Sequence, residues 1–254
     1  MRMAMESFPR LINISDAARS SASTKPSETE RGSAEPPRSL IESAYRQLRM
    51  DIVEGRHGPG EKLRVEHLKE TYHVSAGTLR EALALLVADS LVIPQAQRGF
   101  RVAPMSLADL EDLTRTRTLL ECAALRDSIQ NGDEEWEVRL VSAYHRLSRA
   151  EEGLAHDAAG VFDEWEERNH AFHDALTSAC KSHWIKRFQA LLYQQAHRYR
   201  RLSAVTTAVP SSVHDEHCAI FEAAMSRDLD TADRMLAQHI QFALSAIRNQ
   251  GVLK

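Results

Sequence analysis

The stretch from Leu63 to Val102 constrains this chain most, and it reads LRVEHLKETYHVSAGTLREALALLVADSLVIPQAQRGFRV. Val65, Leu68 and Tyr72 recur at helical spacing and predict a short helix over Val65–Tyr72. A turn through His73 and Val74 follows, and Ser75 stands where a helix N-cap belongs. Leu79, Ala82, Leu83 and Leu86 then mark one face of a helix running to about Asp89. Leu91-Val92-Ile93 reads as a strand, Pro94–Gly99 as a loop and Phe100-Arg101-Val102 as the returning strand. Helix, turn, helix and a glycine-tipped hairpin describe a winged helix-turn-helix, whose second helix enters the DNA major groove.

Upstream, Leu40, Ile41, Ala44, Leu48, Ile52 and Val53 keep a helical period, and Ser39 with Glu42 forms a capping box. Gly55–Gly60 ends that helix. Residues 14–37 are rich in Ser, Pro and Glu and nearly devoid of large apolar groups. Such a segment cannot bury enough surface to offset its ordering entropy, so residues 1–37 read as a disordered arm. Residues 38–105 form the DNA-binding domain in this reading. Beyond it, Ser106 caps a long helix to about Gln130, and Asn131-Gly132-Asp133 separates it from the next. Further helices are expected at 133–154, 159–180, 182–203, 212–226 and 229–249. The fold class is therefore mainly α: an N-terminal winged helix-turn-helix and a C-terminal all-α antiparallel bundle over residues 106–251.

Composition agrees with a helical, globular chain: 10 Gly and 8 Pro among 254 residues, with 43% hydrophobic and 27% charged residues. No apolar run approaches the roughly 20 residues of a membrane-spanning helix, and the first residues lack a continuous apolar leader core. Cys122, Cys180 and Cys218 lie far apart without C-x-x-C spacing, which predicts buried reduced thiols and a cytoplasmic protein. A net charge of −4 is unexpected for a nucleic-acid binder, but it is unevenly distributed. Residues 37–104 hold 10 Lys and Arg against 8 Asp and Glu, whereas residues 105–254 hold 17 against 23. Weak positivity in the reader predicts modest non-specific affinity and dependence on a few placed side chains.

Those side chains follow from the motif. Ser75, Gly77, Thr78 and Arg80 open the second helix, where residues face base edges and phosphates. A guanidinium can bond bidentately to guanine O6 and N7, so Arg80 is the candidate for base readout. Ser75 and Thr78 can bond phosphates, Arg64 can position the backbone, and Arg98 beside Gly99 occupies the wing tip. Nine of the 12 histidines fall after residue 105. Asn169 and His173 are four apart on one predicted helix, with His217 and His239 on later ones. Three imidazoles and one amide oxygen meeting inside a bundle suit Zn²⁺, with Ni²⁺ as the alternative. By spacing alone, surface or hydrogen-bonded core histidines explain the same pattern, and His170 and His214 are equally eligible.

Residues 39–105 resemble the winged helix-turn-helix of GntR-type bacterial transcription regulators. Tyr45 and Leu48, the Pro59-Gly60-Glu61-x-Leu63 turn, Val74-Ser75, Leu79-Arg80-Glu81-Ala82-Leu83 and Arg98-Gly99-Phe100-x-Val102 carry the likeness. The helical remainder resembles the FadR-type effector domain called FCD. Within that group, DEWEERNHAFHDAL and HRYRRL look most like the carbon-starvation-induced regulators. The resemblance implies a metal held by Asn169 and His173 of Asn169-His170-Ala171-Phe172-His173 together with His217 and His239. It also implies that Arg117, four residues before Glu121, pairs with a ligand carboxylate, with Arg198 and Arg200 as further candidates. A typical member carries arginine after the third-helix serine, where this chain has Ala76-Gly77, so its operator preference is expected to differ. The implied partners are a pseudo-palindromic double-stranded DNA operator, a second copy of the chain, and a small carboxylate or hydroxy acid. A five-carbon acid such as 2-hydroxyglutarate that relieves repression is the expected effector. The competing expectation is a metal-dependent enzyme acting on small organic acids, although no H-E-x-x-H and no nucleophile elbow occurs. A third is an architectural DNA binder without a ligand.

Overall fold

A computed structural model of the protein describes residues 39–96, 99–154, 158–204, 212–251 and 253. The expected N-terminal arm and Arg98 lie outside the described residues. The head begins with α1 (Leu40–Val53), β1 (Lys62–Leu63), α2 (Val65–Thr71) and α3 (Ala76–Ala88). Strands β2 (Val92–Gln95) and β3 (Gly99–Val102) then form the wing. The bundle comprises α4 (Leu107–Asn131), α5 (Glu134–Leu154), α6 (Ala158–Leu176), α7 (His183–Ala204), α8 (Ser212–Met225) and α9 (Leu229–Asn249).

Three helix starts share one local device. The hydroxyls of Ser39, Ser75 and Ser106 accept from the backbone N–H groups of Glu42, Thr78 and Asp109. Each satisfies a donor that has no intrahelical acceptor. Between α2 and α3 the chain turns through His73 at φ 53°, a left-handed conformation that histidine tolerates better than a β-branched residue. Leu48, Leu63, Leu79, Leu83, Leu86 and Leu91 are fully buried and join α1, α3 and the sheet in one core.

The sheet differs from the expectation in two ways. Strand β2 continues through Pro94 and Gln95, which were expected in a loop, and β1 adds a third strand. The order is β1-β3-β2, with Leu63 opposite Phe100 and Val92 opposite Val102, both pairings antiparallel. Pro94 is tolerated because β2 is an edge strand and leaves one backbone side unpaired. Gly99 takes φ +87°, a region that a side chain rarely adopts.

In the bundle α4 packs on α7 and α9, α5 on α6 and α8, and α8 on α9. Its core is built from Leu125, Trp136, Leu140, Leu147, Phe172, Leu176, Ile220 and Leu236. Helix α6 stops at Leu176, four residues before the expected end. There the Ala179 N–H turns to Ser128 Oγ (3.0 Å) and the Lys181 N–H to Asp127 Oδ2 (2.6 Å), both on α4. The three cysteines are free, as expected, but only Cys180 is buried; Cys122 and Cys218 are partly exposed. Among the described residues no helix is long and apolar enough to cross a membrane.

Candidate functional site

Two separate places carry the candidate residues. On the head, Ser75, Gly77 and Arg80 are exposed at the start of α3, Thr78 is half-buried, and Arg64 is exposed at the start of α2. Ser75 Oγ accepts from the Thr78 N–H at 3.1 Å and lies 2.9 Å from Thr78 Oγ1. The two hydroxyls therefore sit together at the positive end of the helix, an arrangement that suits a phosphate oxygen. A side chain at Gly77 would meet only Ser75 Oγ, at 3.7 Å, so internal packing does not demand a glycine there. Arg80 points to solvent, its Nη1 at 3.5 Å from the Ala76 carbonyl. Leu79, one residue away, is fully buried, so the helix shows its arginine face outward and its leucine face to the core.

Inside the bundle, His173 from α6, His217 from α8 and His239 from α9 converge, with one ring nitrogen from each within 4.8 Å of the others. Helical spacing places Asn169 one turn before His173. His217 Nδ1 lies 2.6 Å from Glu151 Oε1 and His239 Nδ1 lies 2.8 Å from Glu216 Oε2, while His173 Nδ1 is 3.8 Å from Glu121 Oε2. A carboxylate at Nδ1 fixes the tautomer that leaves Nε2 as the free lone pair. His173 is held well below its usual pKa by burial first, then by His239 and His217. His239 is lowered to about 4, again chiefly by burial and then by His217. Both imidazoles are neutral near pH 7, the form that ligates metals.

The donor set fits a divalent metal. Among the described residues, Asn169 Oδ1 and His217 Nε2 are buried without a hydrogen-bond partner. Orphaned acceptors of this kind are costly unless something meets them. The Asn169 amide is oriented by donation to Tyr193 Oη (3.0 Å), and that hydroxyl donates to Glu166 Oε1 (3.1 Å).

A cavity of about 550 Å³ adjoins the cluster and is lined by Arg117, Asn169, His173, Arg200 and His239 among others. Each arginine already holds a carboxylate. Arg117 Nε donates to Glu121 Oε1 at 2.7 Å, and Arg200 Nε to Glu166 Oε2 at 2.9 Å. Both guanidinium groups stand over the Tyr193 ring, at 5.9 and 4.5 Å from its centroid.

Arg198 is elsewhere. It is buried, does not line the cavity, and donates from Nη2 to the Ala103 carbonyl at 2.7 Å and from Nη1 to Gln195 Oε1 at 3.1 Å. The grouping of Arg198 with Arg200 is thereby corrected: two residues along a helix turn the side chain by about 200°. The structure places Arg198 against the link between head and bundle. Its neighbours do the same: Arg49 Nε donates to Gln194 Oε1 (3.3 Å), and Gln195 Nε2 donates to the carbonyl of Asp89, the C-cap of α3 (2.9 Å).

Sequence reasoning missed Glu151, Glu166, Tyr193, Trp165 and Glu216 around the site. Glu166 and Trp165 lie three and four residues before Asn169 on α6, about one turn, and could have been found from that stripe. Glu151 is 66 residues from His217, and nothing local announces the pairing.

Comparison with known proteins agrees with this architecture. Residues 40–102 match the family described as bacterial regulatory proteins of the gntR family, and residues 112–242 match the FCD domain. An uncharacterized HTH-type transcriptional regulator, BphR of Paraburkholderia xenovorans, is 51% identical over 85% of this chain and 89% of its own length. The HTH-type transcriptional repressor GlaR of Escherichia coli is 36% identical over 77% of this chain and 90% of its own. Among solved structures, E. coli McbR/YncC superposes with a TM-score of 0.70 at 18% identity, over 84% of this chain and 99% of that one. A GntR regulator structure from Rhodococcus gives 0.66 at 22%, over 84% and 99%. The last two likenesses concern the fold alone. The curated relatives are transcriptional regulators, which removes the enzyme reading. FCD domains often bind metals, and this chain brings three histidines together that could hold one. This chain belongs to the GntR family of DNA-binding transcription regulators and carries an FCD effector domain.

Proposed function

We propose that the chain is a homodimeric repressor whose helical domain, residues 106–251, releases the head, residues 38–105, from its operator on binding a small carboxylate or hydroxy acid. The observation that carries this reading is the double duty of α7. Tyr193 and Arg200 face the cavity region, while Gln194, Gln195 and Arg198 bond α1, the end of α3 and the Ala103 link. An anion that competes for Arg200 or Arg117 changes the partners of one face of the helix that braces the reader on its other face. Operator and effector then favour different dispositions of one rigid element, which is what allosteric coupling requires.

In this reading Asn169, His173, His217 and His239 hold a divalent metal. Zn²⁺ suits the nitrogen-rich set, and Ni²⁺ is the alternative. When bound, the metal supplies a Lewis acid that attracts a carboxylate oxygen. Glu121, Glu151 and Glu216 orient the imidazoles, and Arg117 and Arg200 steer the anion. Arg80 reads a base, and Arg64, Ser75, Gly77 and Thr78 dock phosphates. Arg98 and Gly99 also contact DNA in the same reading. Each head spans one half-site, so a two-fold dimer on a pseudo-palindrome follows. The likeness to a named repressor supports repression rather than activation. The carbon-starvation likeness supports an organic-acid effector.

The test is an operator-release screen across small organic acids with protein of assayed metal content, using operator DNA selected from genomic fragments. The reading expects release by at least one acid, lost on His173→Ala. Equal operator affinity with and without every acid that binds refutes it.

A further inference from the structure

Among the described residues, nothing inside the protein calls for the glycine on the first turn of α3. Ala76, Gly77 and Thr78 are the first helical residues after the Ser75 cap. Gly77 is exposed and helical, so its backbone needs no left-handed freedom. A Cβ built there would meet only Ser75 Oγ, at 3.7 Å, an ordinary contact. At Gly132, by contrast, a Cβ would stand 2.5 Å from the Trp136 ring. Gly153 has similar room, but it lies one residue before the end of α5, where a helix is terminating anyway. Alanine at 77 would hold α3 more firmly, because glycine loses more backbone freedom on folding. A glycine that neither backbone nor packing demands, on an outward turn, is accounted for by a ligand that approaches the backbone closely.

The neighbours of Gly77 define what that ligand edge offers. Ala76 is half-exposed and presents a methyl group with no side-chain polar atom. Arg80, one turn later, leans back toward it, with Nη1 3.5 Å from the Ala76 carbonyl. Helical side chains tilt toward the N-terminus, so the guanidinium stands beside the first turn. Ser75 Oγ and Thr78 Oγ1 face each other at 2.9 Å on its flank. The turn thus shows hydrocarbon and bare backbone at 76 and 77, with one cation alongside. In the major groove the apolar group on a base edge is the thymine 5-methyl, and the partner of a guanidinium is guanine.

We propose that Gly77 is a close-approach residue for DNA and that Ala76 is a specificity determinant. The Ala76 methyl and the Gly77 Cα pack on the 5-methyl of a thymine in the half-site whose guanine Arg80 reads. A side chain at 77 would hold the helix out of the groove, and loss of the methyl at 76 would remove the apolar contact. This rests on the reading of α3 as the base-contacting helix and names the base that faces its first turn.

The experiment uses full-length protein and duplexes selected from a randomised pool, read by fluorescence anisotropy at fixed salt. Each thymine of the selected half-site is replaced in turn by deoxyuridine, which removes only the 5-methyl group. One replacement should weaken binding by the parent about fourfold, as expected for one buried methyl. Ala76→Gly should bring the thymine and deoxyuridine duplexes to within about twofold of each other. Gly77→Ala should unfold at the same temperature as the parent or higher, yet bind the selected duplex about tenfold or more weakly. Stability kept while affinity falls is a result that a merely structural glycine would not give. The inference is overturned by a half-site without thymine, by equal binding of every deoxyuridine duplex, or by a Gly77→Ala protein that is destabilised or binds like the parent. Those results leave α3 as the reader. If Arg80→Ala also keeps full discrimination between selected and scrambled duplexes, the reading of α3 falls too.

Discussion

Replacing Arg198 by Met should separate coupling from stability. The guanidinium is buried and makes two hydrogen bonds, to the Ala103 carbonyl at 2.7 Å and to Gln195 Oε1 at 3.1 Å. Ala103 lies in the short link between β3 and Ser106, the N-cap of α4. A hydrogen bond from a charged donor contributes about 1.5–3 kcal/mol. Burial opposes the charged form of Arg198 and is the main influence lowering its pKa. A methionine of similar reach recovers that desolvation cost, so global unfolding should change by only about 1 kcal/mol. If the bond belongs to the operator-binding disposition alone, its loss shifts that equilibrium by the full 1.5–3 kcal/mol, or about 10–150-fold. Fluorescence anisotropy on a selected operator fragment, with and without effector, reads this directly. Salt must be held constant, because phosphate contacts make affinity depend on it. The expected result is weaker operator binding without effector and a smaller further loss with it. Affinities within about twofold of the parent in both conditions, at unchanged thermal stability, would refute α7 as the coupling element.

Arg80→Ala should cost about 1–3 kcal/mol of discrimination between selected and scrambled DNA; equal discrimination in competition binding would remove Arg80 from base readout. Chelation should lower the melting temperature: metal at 100 times its Kd adds about 2.7 kcal/mol, or about 5–11 °C for a chain of this size. His217→Ala should abolish that difference and the bound metal measured by elemental analysis, and retention of both would exclude the histidine cluster. The His197 pKa is pushed down to about 4, principally by burial. The folded form therefore resists the proton that an unfolded histidine takes near pH 6.5. Its contribution is full above about 6.5 and is lost as pH falls toward 4. In urea titrations of metal-free protein, His197→Gln should flatten the slope across that window, and an unchanged slope would exclude His197 as its source.

What was legible differs element by element. Ser39, Ser75 and Ser106 announced their helices because a cap is a bond between residues three apart. Gly99 announced the wing because its φ of +87° suits no other residue well. Strand β1 was invisible: two residues carry no period, and it exists through pairing with Arg101 and Phe100 some forty positions later. The early stop of α6 was hidden for the same reason, since its alternative partners, Ser128 and Asp127, belong to α4.

The site divides along that line. Order and spacing alone established a DNA head on a helical bundle and supplied four metal-donor candidates from three helices. Helical rotation could also have separated Arg198 from Arg200. Only the packed chain decided that Glu151, Glu216 and Glu121 back the three imidazoles, and that Arg200 arrives already paired with Glu166. Periodicity and capping act within a turn or two of helix, whereas burial and charge pairing act between segments that folding alone brings together.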